Sequence, residues 1–384
     1  MVGYKRSNNT VGIRNYTVIM SAADNVNPLA RKISKEIKQS IYIPASYGRG
    51  QLGLDHENFL YCMAGIADNP NVFKTILVSM DGNSADWIIQ KSKRKKDIYK
   101  INFMESNGLK DCIKQSLIHE KKINKEKKKI KQVKLSYKDL IVGLECGGSD
   151  ATSGLIANPC VGIFVDNLIK KKGSAIFSEP VECLGGEESL LKRIKKNALK
   201  KKLINTIYKY EKIAKDNNIN LTGVNPTPDN IRGGLSTIEE KSLGAISKSG
   251  STNIVDIIDF GKKIKKKGLN LLDAPAAAVE NLTALSAAGC QIILFTTGGG
   301  NPIGNPISPT IKITANKKTY KSFKDLIDID LSSLIESLDY TKGTQKIEKK
   351  VESIINNKKT LSEASNYLES NISRFGPSVW NIKF

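Results

Sequence analysis

Asp139-Leu140-Ile141-Val142-Gly143-Leu144-Glu145-Cys146-Gly147-Gly148-Ser149-Asp150-Ala151-Thr152-Ser153-Gly154 passes from an apolar run into a loop of mixed chemistry. The run predicts a buried strand. The loop then supplies a thiol, two carboxylates, three hydroxyls and four glycines within a dozen residues. A core has no need of that mixture. Small residues at a strand end let a ligand approach the backbone, and polar side chains there face a cleft. An ordinary Gly-rich turn from strand to helix is the plainer alternative.

The same pattern recurs outward from this stretch. The strand-like Ser174-Ala175-Ile176-Phe177 ends in Ser178-Glu179-Pro180-Val181-Glu182-Cys183, with Glu187 and Glu188 close behind. Gln291-Ile292-Ile293-Leu294-Phe295-Thr296-Thr297 ends in Gly298-Gly299-Gly300-Asn301. Leu269 to Leu272 and Thr310 to Thr314 read as further strands, and Glu280 to Ala288 as a helix. A long Lys-rich helix is expected over roughly 188–216.

Towards the N-terminus, Thr17 to Met20, Ile41 to Ile43, Thr75 to Met80 and Ile98 to Phe103 read as strands. They alternate with helices carrying Leu29, Ile33 and Ile37, and over residues 56–67. Ile43 is followed by Pro44-Ala45-Ser46-Tyr47-Gly48-Arg49-Gly50-Gln51, a Gly-containing loop with an Arg. Alternating strands and helices predict an α/β fold of two layers with largely parallel sheets and an active cleft at the strand C-terminal ends. The expected division is an N-terminal Rossmann-like domain over 1–134 and a C-terminal catalytic domain over 135–384. The basic stretch 119–134 would be the end of an exposed helix crossing between them. Trp380 and Phe384 are expected to dock the tail.

Composition narrows the function classes. Hydrophobic residues make up 40% and charged residues 26%, as in a soluble globular protein. No apolar run approaches the roughly 18 to 20 residues that span a bilayer, so no membrane partner is expected. Residues 1–20 lack a secretory signal pattern. The six cysteines are scattered without a C-x-x-C pair, which fits reduced thiols in the cytoplasm. The net charge of +22 suggests nucleic acid at first sight. Only eight of the 60 basic residues are Arg, however, and phosphate and base readers favour the Arg fork. A drift towards Lys, Ile and Asn explains the charge, so no nucleic acid is expected.

Glu145, Asp150, Glu179, Glu182 and Glu187 offer carboxylates for a divalent cation or for acid–base work. Cys146 and Cys183 add thiols. The chain has two histidines, His56 and His119, neither set in a Ser–His–Asp pattern. There is no phosphate loop or dinucleotide fingerprint. Carboxylates and thiols around a metal suit removal of a proton next to a carboxylate. A [4Fe–4S] cluster on Cys146, Cys160 and Cys183 is the competing option.

These clusters closely resemble the altronate/galactarate dehydratase family in its large C-terminal region. The resemblance rests on Gly3-Tyr4-Lys5-Arg6 with Val11 to Tyr16, and on Cys146-Gly147-Gly148-Ser149-Asp150 with Ala157-Asn158-Pro159. It extends through Ser178-Glu179 with Glu182, Gly233-Gly234-Leu235-Ser236-Thr237-Ile238-Glu239-Glu240-Lys241, and Thr296-Thr297-Gly298 with Ile311-Lys312. It implies a lyase acting β to the carboxylate of a small 2-hydroxy acid. It also implies a divalent metal, typically Fe2+, with Mg2+ or Mn2+ as alternatives. Members carry a small domain before the Gly-Tyr-Lys-Arg region. Its expected source here is a separate small subunit, giving a homo- or hetero-oligomer.

One departure stands out. Sugar-acid enzymes of the family carry His-Thr-His-Gly-Cys-Gly-Gln where this chain has the Arg49 loop. That loop looks more like the large subunit of sulfolactate sulfo-lyase, which releases sulfite. A non-catalytic binding subunit with the same fold is a further reading of the lost histidines. On the lyase reading, the catalytic candidates are Cys146, Asp150, Glu182 and Glu187. Arg49, Ser149, Thr152, Ser153, Asn158, Thr297 and Asn301 would contact substrate, and Glu145 and Glu179 would hold the metal. The identity of the base stays open among them.

Overall fold

Unbroken runs of β-branched and aliphatic residues form strands buried on both faces, as parallel sheets require. The first half contains β1 (Val2–Lys5), β2 (Val11–Gly12), β3 (Tyr16–Ser21), β4 (Ser40–Ile43), β5 (Val72–Ser79), β6 (Ile98–Asn102) and β7 (Gln132–Lys134). The second half contains β8 (Ile141–Cys146), β9 (Ser174–Phe177), β10 (Ile254–Ile258), β11 (Leu269–Leu272), β12 (Ile292–Thr296), β13 (Thr310–Thr314) and β14 (Ile329–Asp330). This computed structural model describes residues 1–48, 50–216, 218 and 225–374, so Arg49, Trp380 and Phe384 lie outside the described residues.

Two parallel sheets carry the fold. One is four-stranded, in the order β4-β3-β5-β6. The other is seven-stranded, in the order β10-β11-β9-β8-β12-β13-β14, so the stretch quoted at the outset is its central strand. Val142, Leu144, Leu271, Leu294 and Ile311 lie in one buried core with Val161, Phe164 and Val165 of the helix Asn158–Lys170. Leu272, Ile293 and Phe295 lie in another with Leu282 and Leu285 of the helix Ala278–Ala288. No helix among the described residues is long and apolar enough to cross a membrane.

The parallel α/β architecture agrees with the sequence expectation, and most strand and helix positions agree to within a few residues. Three details differ. The basic helix ends at Lys127, and Gln132–Lys134 return as β7, antiparallel to β1. The Lys-rich helix is two pieces, Glu187–Leu191 and Asn197–Asp216. Between them Arg193 leaves the helical path to bond Thr252 O, Ser249 O and Ser249 Oγ, and its carbonyl accepts from Ile254 N. β10 is an unanticipated edge strand.

Candidate active site

The three strands whose ends looked unusual, β9, β8 and β12, are neighbours in the centre of the sheet. Their C-terminal loops therefore meet. Cys146 is the last residue of β8, and its Sγ lies 3.3 Å from Glu182 Oε2. Lys248 Nζ reaches the same sulfur at 2.8 Å and Glu179 Oε2 at 2.8 Å. Lys241 Nζ lies 2.9 Å from Glu182 Oε1 and also donates to Asn225 Oδ1. Lys248 sits at the C-terminal cap of the helix Ile238–Ser247, and Lys241 lies within that helix. Glu179 takes a left-handed backbone conformation, with φ of 66°, that few non-glycine residues adopt. Strain of this kind gathers at sites where geometry matters more than local comfort.

The cluster is almost dry. Cys146, Glu145, Glu179 and Lys248 are fully buried, so each charge needs a partner. Burial raises the Cys146 thiol well above its ordinary range, although Lys248 opposes the shift. Burial also pushes the Glu179 carboxyl up to about 7, again against the pull of Lys248. For Lys248 itself burial acts downward. The surrounding thiol and carboxylates outweigh it, and the amine ends well above the usual lysine value. The thiol and carboxylates around Lys248 thus favour its charged form.

A groove of about 370 Å³ opens beside this cluster, between the start of the helix after β8 and the helix Ile238–Ser247. Ser149, Asp150, Ser153, Asn158 and Lys241 line it. Residues Ser153–Ala157 wind as a π-helix before the regular helix Asn158–Lys170 begins. Such a turn re-aims side chains and is frequent at functional sites. Here it delivers Asn158, whose Nδ2 donates to Gly244 O at 2.9 Å and whose Oδ1 accepts from Thr296 Oγ1 at 2.6 Å.

The remaining sequence candidates separate. Asp150 is buried with both carboxylate oxygens engaged: Oδ1 accepts from Thr152 Oγ1, Ser153 N and Ser153 Oγ, and Oδ2 from Asn316 Nδ2. Thr152 and Ser153 thereby fix Asp150. Thr297 accepts from Gly300 N and shapes the loop after β12. Asn301 lines a different, larger cleft of about 850 Å³, which also touches Asp24, Ser46 and Glu280. Glu187 caps a local turn by accepting from Gly185 N. Glu145 faces away from Cys146, as successive strand residues must, and accepts from Asn281 Nδ2.

A divalent ion can be tested against these donors. Cys146, Glu179 and Glu182 each offer one atom, all within 4.8 Å of one another and buried. Glu179 Oε1 is buried without a hydrogen-bond partner among the described residues, so it can take one more contact. One sulfur with carboxylate oxygens suits iron better than magnesium. The group therefore fits a metal ion in kind. The sequence expectation paired Glu145 with Glu179; Glu145 lies outside this group, although its charge still acts on Glu179 and Lys248 and its Oε1 is likewise buried without a hydrogen-bond partner among the described residues. Cys160 and Cys183 belong to no such group among the described residues, which leaves the iron–sulfur option without support.

Sequence reading missed Lys248 and gave no role to Lys241. The signal was faint but present: Lys248 stands alone in Ala245-Ile246-Ser247-Lys248-Ser249-Gly250, apart from the Lys runs of the surface.

A family profile described as "D-galactarate/Altronate dehydratase, C-terminal" matches residues 137–378. One described as "D-galactarate dehydratase/Altronate hydrolase, second domain" matches residues 3–127. An altronate dehydratase of Bacillus subtilis (strain 168) is 32% identical, over 87% of this chain and 69% of the relative. An altronate dehydratase of Escherichia coli (strain K12) is 31% identical, over 98% of this chain and 78% of the relative. The (2R)-sulfolactate sulfo-lyase subunit beta of Chromohalobacter salexigens is 32% identical, over 87% and 86%.

Proposed function

This chain belongs to the D-galactarate/altronate dehydratase family, and from that premise we propose that it is the large subunit of a cytoplasmic, metal-dependent lyase. Its reaction is the β-elimination of water from a sugar acid of the altronate or galactarate type, giving a 2-keto-3-deoxy acid. The observation that carries this reading is the convergence of Cys146, Glu179 and Glu182, from the ends of the adjacent strands β8 and β9, on Lys248, next to a groove whose wall includes Lys241.

Lys241, on the groove wall, attracts the substrate carboxylate. Its bond to Glu182 Oε1 ties the groove wall to that buried carboxylate. Glu182 takes the proton from the carbon next to the substrate carboxylate. The electron pair forms the carbon–carbon double bond as the β-hydroxyl leaves; it takes the proton from Glu182 and departs as water, and the resulting enol tautomerises to the keto acid. While no ion is bound, the buried Lys248 ammonium balances the charge of Glu179 and Cys146 in a site from which water is largely excluded. A divalent ion, Fe2+ by donor type, held by Cys146, Glu179 and Glu182 would supply Lewis acidity towards substrate oxygens. Asp150, through Thr152, Ser153 and Asn316, holds the groove in shape.

A second reading has its own support. The sulfo-lyase relative is itself named a subunit, and the match covers 86% of it. Elimination of sulfite from sulfolactate uses the same proton removal. Both readings include a separate small subunit, and the sulfo-lyase relative's name is what supports it. The test is incubation of the chain and a small partner with Fe2+ and altronate, galactarate or (2R)-sulfolactate. A 2-keto-3-deoxy acid supports dehydration, whereas sulfite with pyruvate supports the second reading. No product from any of the three overturns both.

A further inference from the structure

The three donors that suit a metal are already held by ammonium groups. Lys248 Nζ lies 2.8 Å from Cys146 Sγ and 2.8 Å from Glu179 Oε2, and its side chain is 2% exposed. Lys241 holds the other face of Glu182. A transition-metal ion bonds such donors at about 2.0–2.3 Å, inside the same triangle of atoms. A dication there would press against the ammonium both sterically and by like charge, in a medium with little water to screen it. The two cannot share the site as it is drawn.

Resting on the function proposed above, we propose that the Lys248 ammonium and the divalent ion are alternative occupants of one donor set, so that Lys248 sets how tightly the metal binds. The ion enters as the ammonium withdraws from Cys146 and Glu179. Lys248 stands at the end of its helix, on a flexible four-carbon stem, and Gly250, at φ of 68°, turns the chain two residues later. Lys241, paired with Asn225 as well as Glu182, stays as the permanent counter-charge.

Cobalt(II) titration of the full chain under reducing conditions tests this, because a thiolate–cobalt bond gives a near-ultraviolet charge-transfer band. Lys248→Met is expected to bind cobalt at least tenfold more tightly than the wild type, with the band lost when Cys146→Ser is added. Lys248→Arg, which keeps the charge, should bind as weakly as the wild type. Lys248→Gln carries the same expectation as the methionine variant should that one fail to fold. Equal or weaker binding by the uncharged variants, or no band in any of them, overturns the inference. Product formation by the wild type is measured separately. A wild type that eliminates while the uncharged variants bind no tighter removes this inference and leaves the function standing. Tighter binding in a chain that makes no product does the reverse.

Discussion

At the residue scale the site is a balance of buried charges. Glu179 and Lys248 face each other with almost no water around either. Removing one partner leaves the other uncompensated, at a cost of about 3–5 kcal/mol. Glu179→Gln is therefore expected to lower stability by that order in urea unfolding and to abolish product formation. Lys312 is a different case. Its fully buried Nζ has no hydrogen-bond partner among the described residues and lies 3.3 Å from the centre of the Phe295 ring. Burial holds its amine well below the ordinary lysine value, while Glu145 and Asp328 pull the other way. The unfolded chain then binds a proton that the folded chain does not, from the depressed folded value up to the lysine range. Stability should rise with pH across that window. Lys312→Met is expected to flatten that rise and to stabilise the protein at neutral pH. Urea unfolding of both chains between pH 7 and 9.5 checks it, and parallel slopes would argue that Lys312 is charged in the fold.

At the element scale the site depends on how closely two loops approach. A Cβ on Gly298 would fall 2.1 Å from Asp150 Cγ, so the loop after β12 can lie on the loop after β8 only as glycine. Gly298→Ala should cost about 1–3 kcal/mol through overpacking. It should also move Asp150 and the groove wall, so product formation falls more than stability alone explains. Thermal melting alongside the product assay checks both. The π-helix Ser153–Ala157 was not legible beforehand. Its sequence, Ser-Gly-Leu-Ile-Ala, fits an ordinary helix start, and the extra residue per turn exists because Asn158 bonds both Gly244 and Thr296.

At the scale of the whole molecule, asparagines join the two parallel sheets. Asn71, just before β5, donates its amide to Gln291 O and Ile307 O at 2.9 Å each. Asn69 does the same for Ser286 O and Cys290 O. Arg14 reaches Glu363, Ile354 O and Lys358 O. Asn71→Ala strands two buried carbonyls, each worth about 1–3 kcal/mol when unsatisfied. We expect a loss of that order per carbonyl, and a broader unfolding transition as the halves separate. Calorimetry that finds a single sharp transition at the wild-type temperature would contradict it.

The sequence by itself determined the parallel α/β architecture, because strands buried on both faces must be written as continuous apolar runs such as Ile292–Phe295. It also marked the ends of β8, β9 and β12 as the candidate site, since acids and thiols beside glycines are costly in a core. Cys146, Glu179 and Glu182 were legible on that ground. The tertiary structure alone decided which acids act together. Alternation along β8 sends Cys146 and Glu145 to opposite faces, although they are adjacent in the chain. It also decided that Lys248, 102 residues beyond Cys146, completes the cluster. The local sequence marks Lys248 only faintly, by its isolation from the Lys runs, because its burial depends on partners that only folding brings within reach.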